Sequence, residues 1–173
     1  MLGKTCNDGS CMRRRQNLNI KYPSSAPCDC EICVGYCARP GWWIVKEAAR
    51  ALAAGYGGRM MLEVSPDRSL GVLSPAFRGC EGSFALEEFK DNGCNFFQDK
   101  LCQLHGTPFQ PLECRYCHHS RPGAGPVCHA DLERDWRTRP GRNLVIQWTR
   151  QVGLWELLPF YGLDKRFISW DAP

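Results

Sequence analysis

The cysteines of this chain gather in two short stretches, and that clustering limits the folds open to it. The first stretch holds Cys28, Cys30, Cys33 and Cys37; the second holds Cys114, Cys117 and Cys128, with His118, His119 and His129 beside them. Cys94 and Cys102 lie between the two. Cys30-x-x-Cys33 and Cys114-x-x-Cys117 each put two thiolates on one tight loop, a spacing that lets both turn onto a single metal ion. The four sulfurs of the first stretch are too close in sequence to pair efficiently as disulfides, and a loop containing Gly35 can wrap one ion or the edge of a cluster. Free cysteine is often a small buried hydrophobe, but that reading leaves the clustering unexplained.

The compartment supports the same chemistry. Twelve cysteines in 173 residues could serve a secreted disulfide scaffold, but Met1 to Lys21 shows no apolar run of the kind an export signal needs. No stretch approaches the roughly 20 apolar residues of a membrane span. The expectation is a cytoplasmic protein whose thiols are ligands. The net charge of +4 is mild, and Arg13-Arg14-Arg15 reads as a solvated tail, so nucleic-acid binding draws no support from charge.

Seventeen glycines, twelve prolines and 43% hydrophobic residues predict many turns around a modest core. The expected fold class is α+β: a small, irregular, cysteine-rich domain built around metal centres, with a few helices and short strands. Residues 1–26 read as a polar leader, 27–153 as the metal-binding domain and 154–173 as an aromatic tail packed on the body. Within the domain, Pro27 to Pro40 is expected as a ligand loop. Trp43 to Ala54 has helical spacing at Ile44, Ala48, Ala51 and Leu52, and Gly55, Gly57 and Gly58 stop it. Met60 to Val64 and Leu70 to Leu73 predict a strand pair, Leu86 to Phe89 a helical turn, and Gly93 to Leu104 a small hairpin. Pro108 to Pro126 reads as loop, followed by helices at Asp131 to Arg137 and Asn143 to Val152, with an interruption at Pro140-Gly141.

The ligand reading covers Cys28, Cys30, Cys33, Cys37, Cys94, Cys102, Cys114, Cys117 and Cys128. His118 reads equally as a ligand and as a surface neighbour; His105, His119 and His129 are read as non-ligands. Cys6, Cys11 and Cys80 carry no assigned role. Zinc takes four tetrahedral ligands, commonly from two distant pairs. Iron–sulfur clusters also take thiolates, and Cys30-x2-Cys33-x3-Cys37 can supply three of four. Spacing leaves zinc and iron–sulfur both open. Cys114-x-x-Cys117-His118 also matches a c-type haem attachment motif, which would require export. Other catalytic signatures are thin: Gly55-Tyr-Gly57-Gly58 follows a helix and reads as its cap, not as a phosphate cradle. Asp131, Glu133 and Asp135 read as the acidic N-terminal face of a helix.

With these motifs placed, the chain resembles the bacterial YkgJ-like cysteine-cluster family, described as zinc- or iron-chelating. Cys30, Cys33 and Cys37 correspond to the family's opening motif, Gly93-Cys94-Asn-Phe96-Phe97 to its middle, Cys102-Gln-Leu-His105 to its next segment, and Pro111-Leu-Glu-Cys114-Arg115 to its last. Tyr36 stands where the family has a second adjacent cysteine, and Gln110 where it has arginine. The resemblance spans Cys28 to Cys117 and implies metal chelation without an agreed reaction. Similar modules accompany a flagellin lysine methylase.

The leading expectation is a metal-binding protein, holding zinc or an iron–sulfur centre, with a structural, electron-transfer or protein-partner-binding role. One rival is an enzyme using the metal or cluster in redox or methyl-transfer chemistry; another is a nucleic-acid-binding zinc module.

Overall fold

A computed structural model describes residues 17–161. The chain is a small α+β domain. Six α-helices are named here: α1 Leu18–Lys21, α2 Glu31–Cys37, α3 Val45–Ala53, α4 Leu112–Tyr116, α5 Gly125–Trp136 and α6 Arg139–Gln151. An antiparallel hairpin joins β1 Met60–Val64 to β2 Gly71–Pro75, in register Leu62 to Leu73, and a two-residue hairpin joins β3 Phe97–Gln98 to β4 Leu101–Cys102. Short 3-10 turns cover Tyr56–Arg59, Glu87–Asn92 and Trp155–Tyr161.

The apolar core lies where α3, α5 and α6 meet the β1–β2 hairpin. Trp43, Trp136 and Trp148 are fully enclosed. A buried indole N–H must find an acceptor, and each one does. Trp43 donates to the Phe109 carbonyl at 2.7 Å, Trp136 to the Trp43 carbonyl at 2.8 Å, and Trp148 to the Gly57 carbonyl at 2.9 Å. The first of these bonds ties the start of α3 to the segment that leads into the second cysteine stretch, and the other two tie α5 and α6 to the residues flanking α3.

The expected helix over Trp43 to Ala54 forms as Val45–Ala53, with Val45, Ala48, Ala51 and Leu52 buried and Gly55 left-handed just beyond it. The strand pair, the turn near Leu86 and the hairpin inside Gly93 to Leu104 also form. Three readings need correction. Pro27 to Pro40 is not all loop, because α2 occupies its middle, Glu31–Cys37. Pro108 to Pro126 contains α4 and the start of α5. Pro140-Gly141 does not interrupt a helix; both lie in the first turn of α6. Proline there lacks only an N–H that has no partner inside the helix anyway. Gly141 is required by packing, since a Cβ on it would meet the Trp136 carbonyl oxygen at 2.4 Å and the Trp136 Cα at 2.9 Å.

The described end of the leader is docked. Tyr22 is buried, its hydroxyl donates to Asp131 Oδ2 at 2.5 Å, and its ring meets Tyr116 edge-on at 5.0 Å. Lys21 pairs with the same Asp131 carboxylate. Cys6, Cys11 and Arg13-Arg14-Arg15 lie outside the described residues, as does the tail beyond Tyr161. Within the described part of the expected 154–173 tail, Leu154 and Leu158 pack into the core.

Candidate metal centre

Cys30 is the residue that precedes α2, and Cys33 lies in the first turn of that helix. Three residues apart on a helix is one turn, so the two sulfurs fall on one face. Cys28 arrives from the extended segment before it. Across from them stands the loop after α4. Ser25 N–H donates to the Arg115 carbonyl at 2.8 Å and Ser25 Oγ to the Tyr116 carbonyl at 3.0 Å. Arg121 then clamps the Pro23 carbonyl at 2.9 Å and the Tyr116 carbonyl at 3.0 Å, its guanidinium 4.5 Å from the Tyr116 ring centre. This strap brings the two cysteine stretches into contact.

Its result is a four-residue site: Cys28, Cys30, Cys33 and His119, with ligand atoms all within 4.8 Å of one another. His119 Nδ1 lies 3.4 Å from Cys28 Sγ, 3.5 Å from Cys30 Sγ and 3.4 Å from Cys33 Sγ. The backbone N–H of His119 also donates to Cys33 Sγ at 3.4 Å. These residues lie close enough to bind a metal ion. His119, read from sequence as a non-ligand, is the fourth member. No local pattern marks it, because its partners are 86 to 91 positions away in sequence; the only hint was its place beside Cys117.

The electrostatics within the site are uneven. The Cys33 backbone N–H, helped by the Cys28 side chain, brings the half-buried Cys30 thiol down to about 7. Burial drives Cys33 up to about 11. The neighbouring His118 points elsewhere: its Nδ1 accepts from the Ser120 N–H at 3.2 Å, and burial holds its imidazole below the ordinary range.

The other expected ligands form a looser second group. Cys37 ends α2, which packs on β4 carrying Cys102. The Cys94 N–H donates to the Ala38 carbonyl at 2.8 Å, next in sequence to Cys37. Cys114, on α4, presses its sulfur on Gly41, where a Cβ would come within 2.7 Å of it. Burial raises Cys37, Cys94 and Cys114, and the charge of Cys102 adds to each. Burial likewise lifts Cys117 to about 11, with Glu113 and Cys37 contributing. Cys128 is fully buried on α5 in the apolar core, pushed up to about 12 by burial. Cys80, also buried, packs with Met61 and Ala76 as a small hydrophobe. All ten cysteines among the described residues are free thiols, and none of the helices described is long and apolar enough to cross a membrane.

No family model matches the chain, and neither a curated protein nor a solved structure does.

Proposed function

We propose that this chain is a metal-binding protein in which Cys28, Cys30, Cys33 and His119 hold one zinc ion as a structural cross-link. The three sulfur-to-nitrogen distances carry this reading. Zn–S bonds of about 2.3 Å and Zn–N bonds of about 2.0–2.1 Å at the tetrahedral angle put sulfur and nitrogen about 3.5 Å apart. Observed separations of 3.4, 3.5 and 3.4 Å match that edge without rearrangement. Three thiolates and one imidazole form a closed set of the kind structural zinc sites use. The ion would join the strap before α2 to the loop after α4, and its binding free energy would be folding free energy.

A second reading rests on the looser thiols. A cavity of about 260 Å³ borders Cys37, Cys114 and Cys117 as well as Cys28 and Cys33 of the first centre, and Cys94 and Cys102 bear on Cys114. Sulfurs spread around a space suit a second centre, either another zinc or an iron–sulfur cluster with a redox role. The resemblance to the YkgJ-like family, which aligns Cys37, Cys94, Cys102 and Cys114 with its motifs, supports the same assignment.

Purification without oxygen, followed by elemental analysis and a visible spectrum, tests both. One zinc per chain, lost in His119→Ala and in Cys33→Ser, is the expected result for the first centre. Iron with sulfide and absorption near about 400 nm would assign a cluster to the second group. A chain with no metal above background would overturn the proposal.

A further inference from the structure

Away from the thiols, the turn of the β1–β2 hairpin and the face of α5 enclose a separate cavity of about 470 Å³. Its walls include Trp42, Glu63, Val64, Leu70, His129 and Arg137. The polar groups here are arranged in a definite order. Trp42 Nε1–H donates to Glu63 Oε1 at 2.8 Å, and Ser74 Oγ–H donates to the same oxygen at 2.5 Å. Among the described residues, Oε2 of that carboxyl accepts no hydrogen bond. His129 lies against Trp42 with ring centres 3.8 Å apart and planes tilted by 38°, and its Nδ1 meets Glu113 Oε1 at 3.0 Å.

The charges lining the cavity do not cancel. Arg137 is committed to Glu133 at 2.6 Å and to Ser69 Oγ at 3.1 Å. His129 is committed to Glu113. Asp67 is held by the hydroxyls of Ser65 and Ser69, which pull its carboxyl down to about 2, so it stays ionised. Among the described residues Glu63 has no ion-pair partner, and burial raises its carboxyl above the ordinary range despite its two donors. A cationic group inside the cavity would supply what Glu63 lacks: a charged donor that keeps the carboxylate ionised and occupies its second oxygen. The rest of the wall is apolar, with Val64, Pro66, Leu70 and Val72 on the hairpin side.

We propose that this cavity binds a small primary ammonium ligand with a compact apolar body, its charged end on Glu63 and its body against Val64, Leu70 and Val72. The site is independent of the metal centre, so either can fail alone. Glu113, outside the cavity wall, accepts the Trp42 backbone N–H at 2.8 Å and contacts His129.

Benzylammonium is a suitable probe, followed on the metal-loaded full chain through the NMR signal of the Trp42 indole N–H. The expected result is a saturable shift that benzyl alcohol and benzoate reproduce at least about tenfold more weakly, since a desolvated charge pair is worth that much or more. Glu63→Gln keeps an acceptor for Trp42 and Ser74 but removes the charge, and should weaken binding at least about tenfold. Val64→Phe, which fills the cavity from its rim, should abolish the shift in a chain whose melting curve is otherwise preserved. An absent shift, equal binding of benzyl alcohol, tighter binding of benzoate, or undiminished binding to either variant would each overturn the proposal.

Discussion

Glu47 offers the sharpest test of how the fold presents the second cysteine stretch. It lies in the first turn of α3 and is only 3% exposed, yet its carboxylate is fully engaged. Oε2 accepts from Ile44 N–H at 3.3 Å and from Leu112 N–H at 3.1 Å, while Oε1 pairs with Arg115 Nη2 at 2.5 Å. One side chain therefore fixes the start of α3 and the start of α4 together. In Glu47→Ala the Leu112 N–H is left buried and unpaired, costing about 1–3 kcal/mol. Breaking a buried ion pair by removing one partner costs about 3–5 kcal/mol. Arg115 is 19% exposed and keeps the Gln110 carbonyl at 2.8 Å, so part of its charge stays solvated and bonded. The two penalties overlap in one network, so the expected total is about 3 kcal/mol, near the low end of the ion-pair figure. Urea unfolding of the metal-loaded chain reads it as a lower midpoint at unchanged slope. In a thermal melt it corresponds to a fall of roughly 6–12 °C for a chain of this size. Glu47→Gln, which retains an acceptor, should lose clearly less. A loss under about 1 kcal/mol in the alanine variant would refute the argument that this carboxylate holds the two helices together.

Three further outcomes follow from the same geometry. Gly141→Ala drives a methyl into Trp136 backbone at 2.4 Å, so α5 and α6 must separate at a cost of about 1–3 kcal/mol; an unchanged melt would show that the helices slide freely. Gly41→Ala displaces Cys114 Sγ, which lies 2.7 Å from the added carbon, and should lower metal per chain while Cys28, Cys30, Cys33 and His119 keep theirs; equal stoichiometry would remove Cys114 from the ligands. Burial holds the Glu63 carboxyl above its unfolded value of about 4.3, so the folded state binds that proton more tightly and stability falls as pH rises from the unfolded value through the folded one. Glu63→Gln should therefore match the parent in acid and exceed it at neutral pH, and urea midpoints that stay parallel across that range would contradict the assignment.

What the sequence disclosed follows the range of each interaction. The helix over Val45–Ala53 and the hairpin of Met60–Val64 with Gly71–Pro75 were legible because their signals are local: apolar spacing, glycine stops and short apolar runs. Cys30 and Cys33 were legible for the same reason. His119 was not, since what brings it to the sulfurs is a pair of bonds from the Ser25 N–H and hydroxyl to the Arg115 and Tyr116 carbonyls, about 90 residues distant. Pro140-Gly141 misled because a breaker inside a helix and a starter at its first turn are the same residues; only the contact with Trp136 distinguishes them. Glu63 and His129 sit on opposite elements and share no motif, so their cavity exists only once α5 closes over the hairpin.

The thiol environments impose an order on how a metal would enter. Burial keeps Cys33 near about 11, so without a metal it stays protonated at neutral pH. Cys30 differs, because the N–H groups at the start of α2 stabilise its thiolate and bring it to about 7. A first ion would therefore meet Cys30, half-buried and partly ionised at neutral pH, before the other thiols. Once bound, its charge makes ionisation of the buried Cys33 favourable, with release of that proton. His119 closes the shell only if the strap from Ser25 to the loop after α4 is already in place. The site thus combines a helix start that lowers one thiol with a tertiary strap that brings up the imidazole, and a metal held there would couple the two.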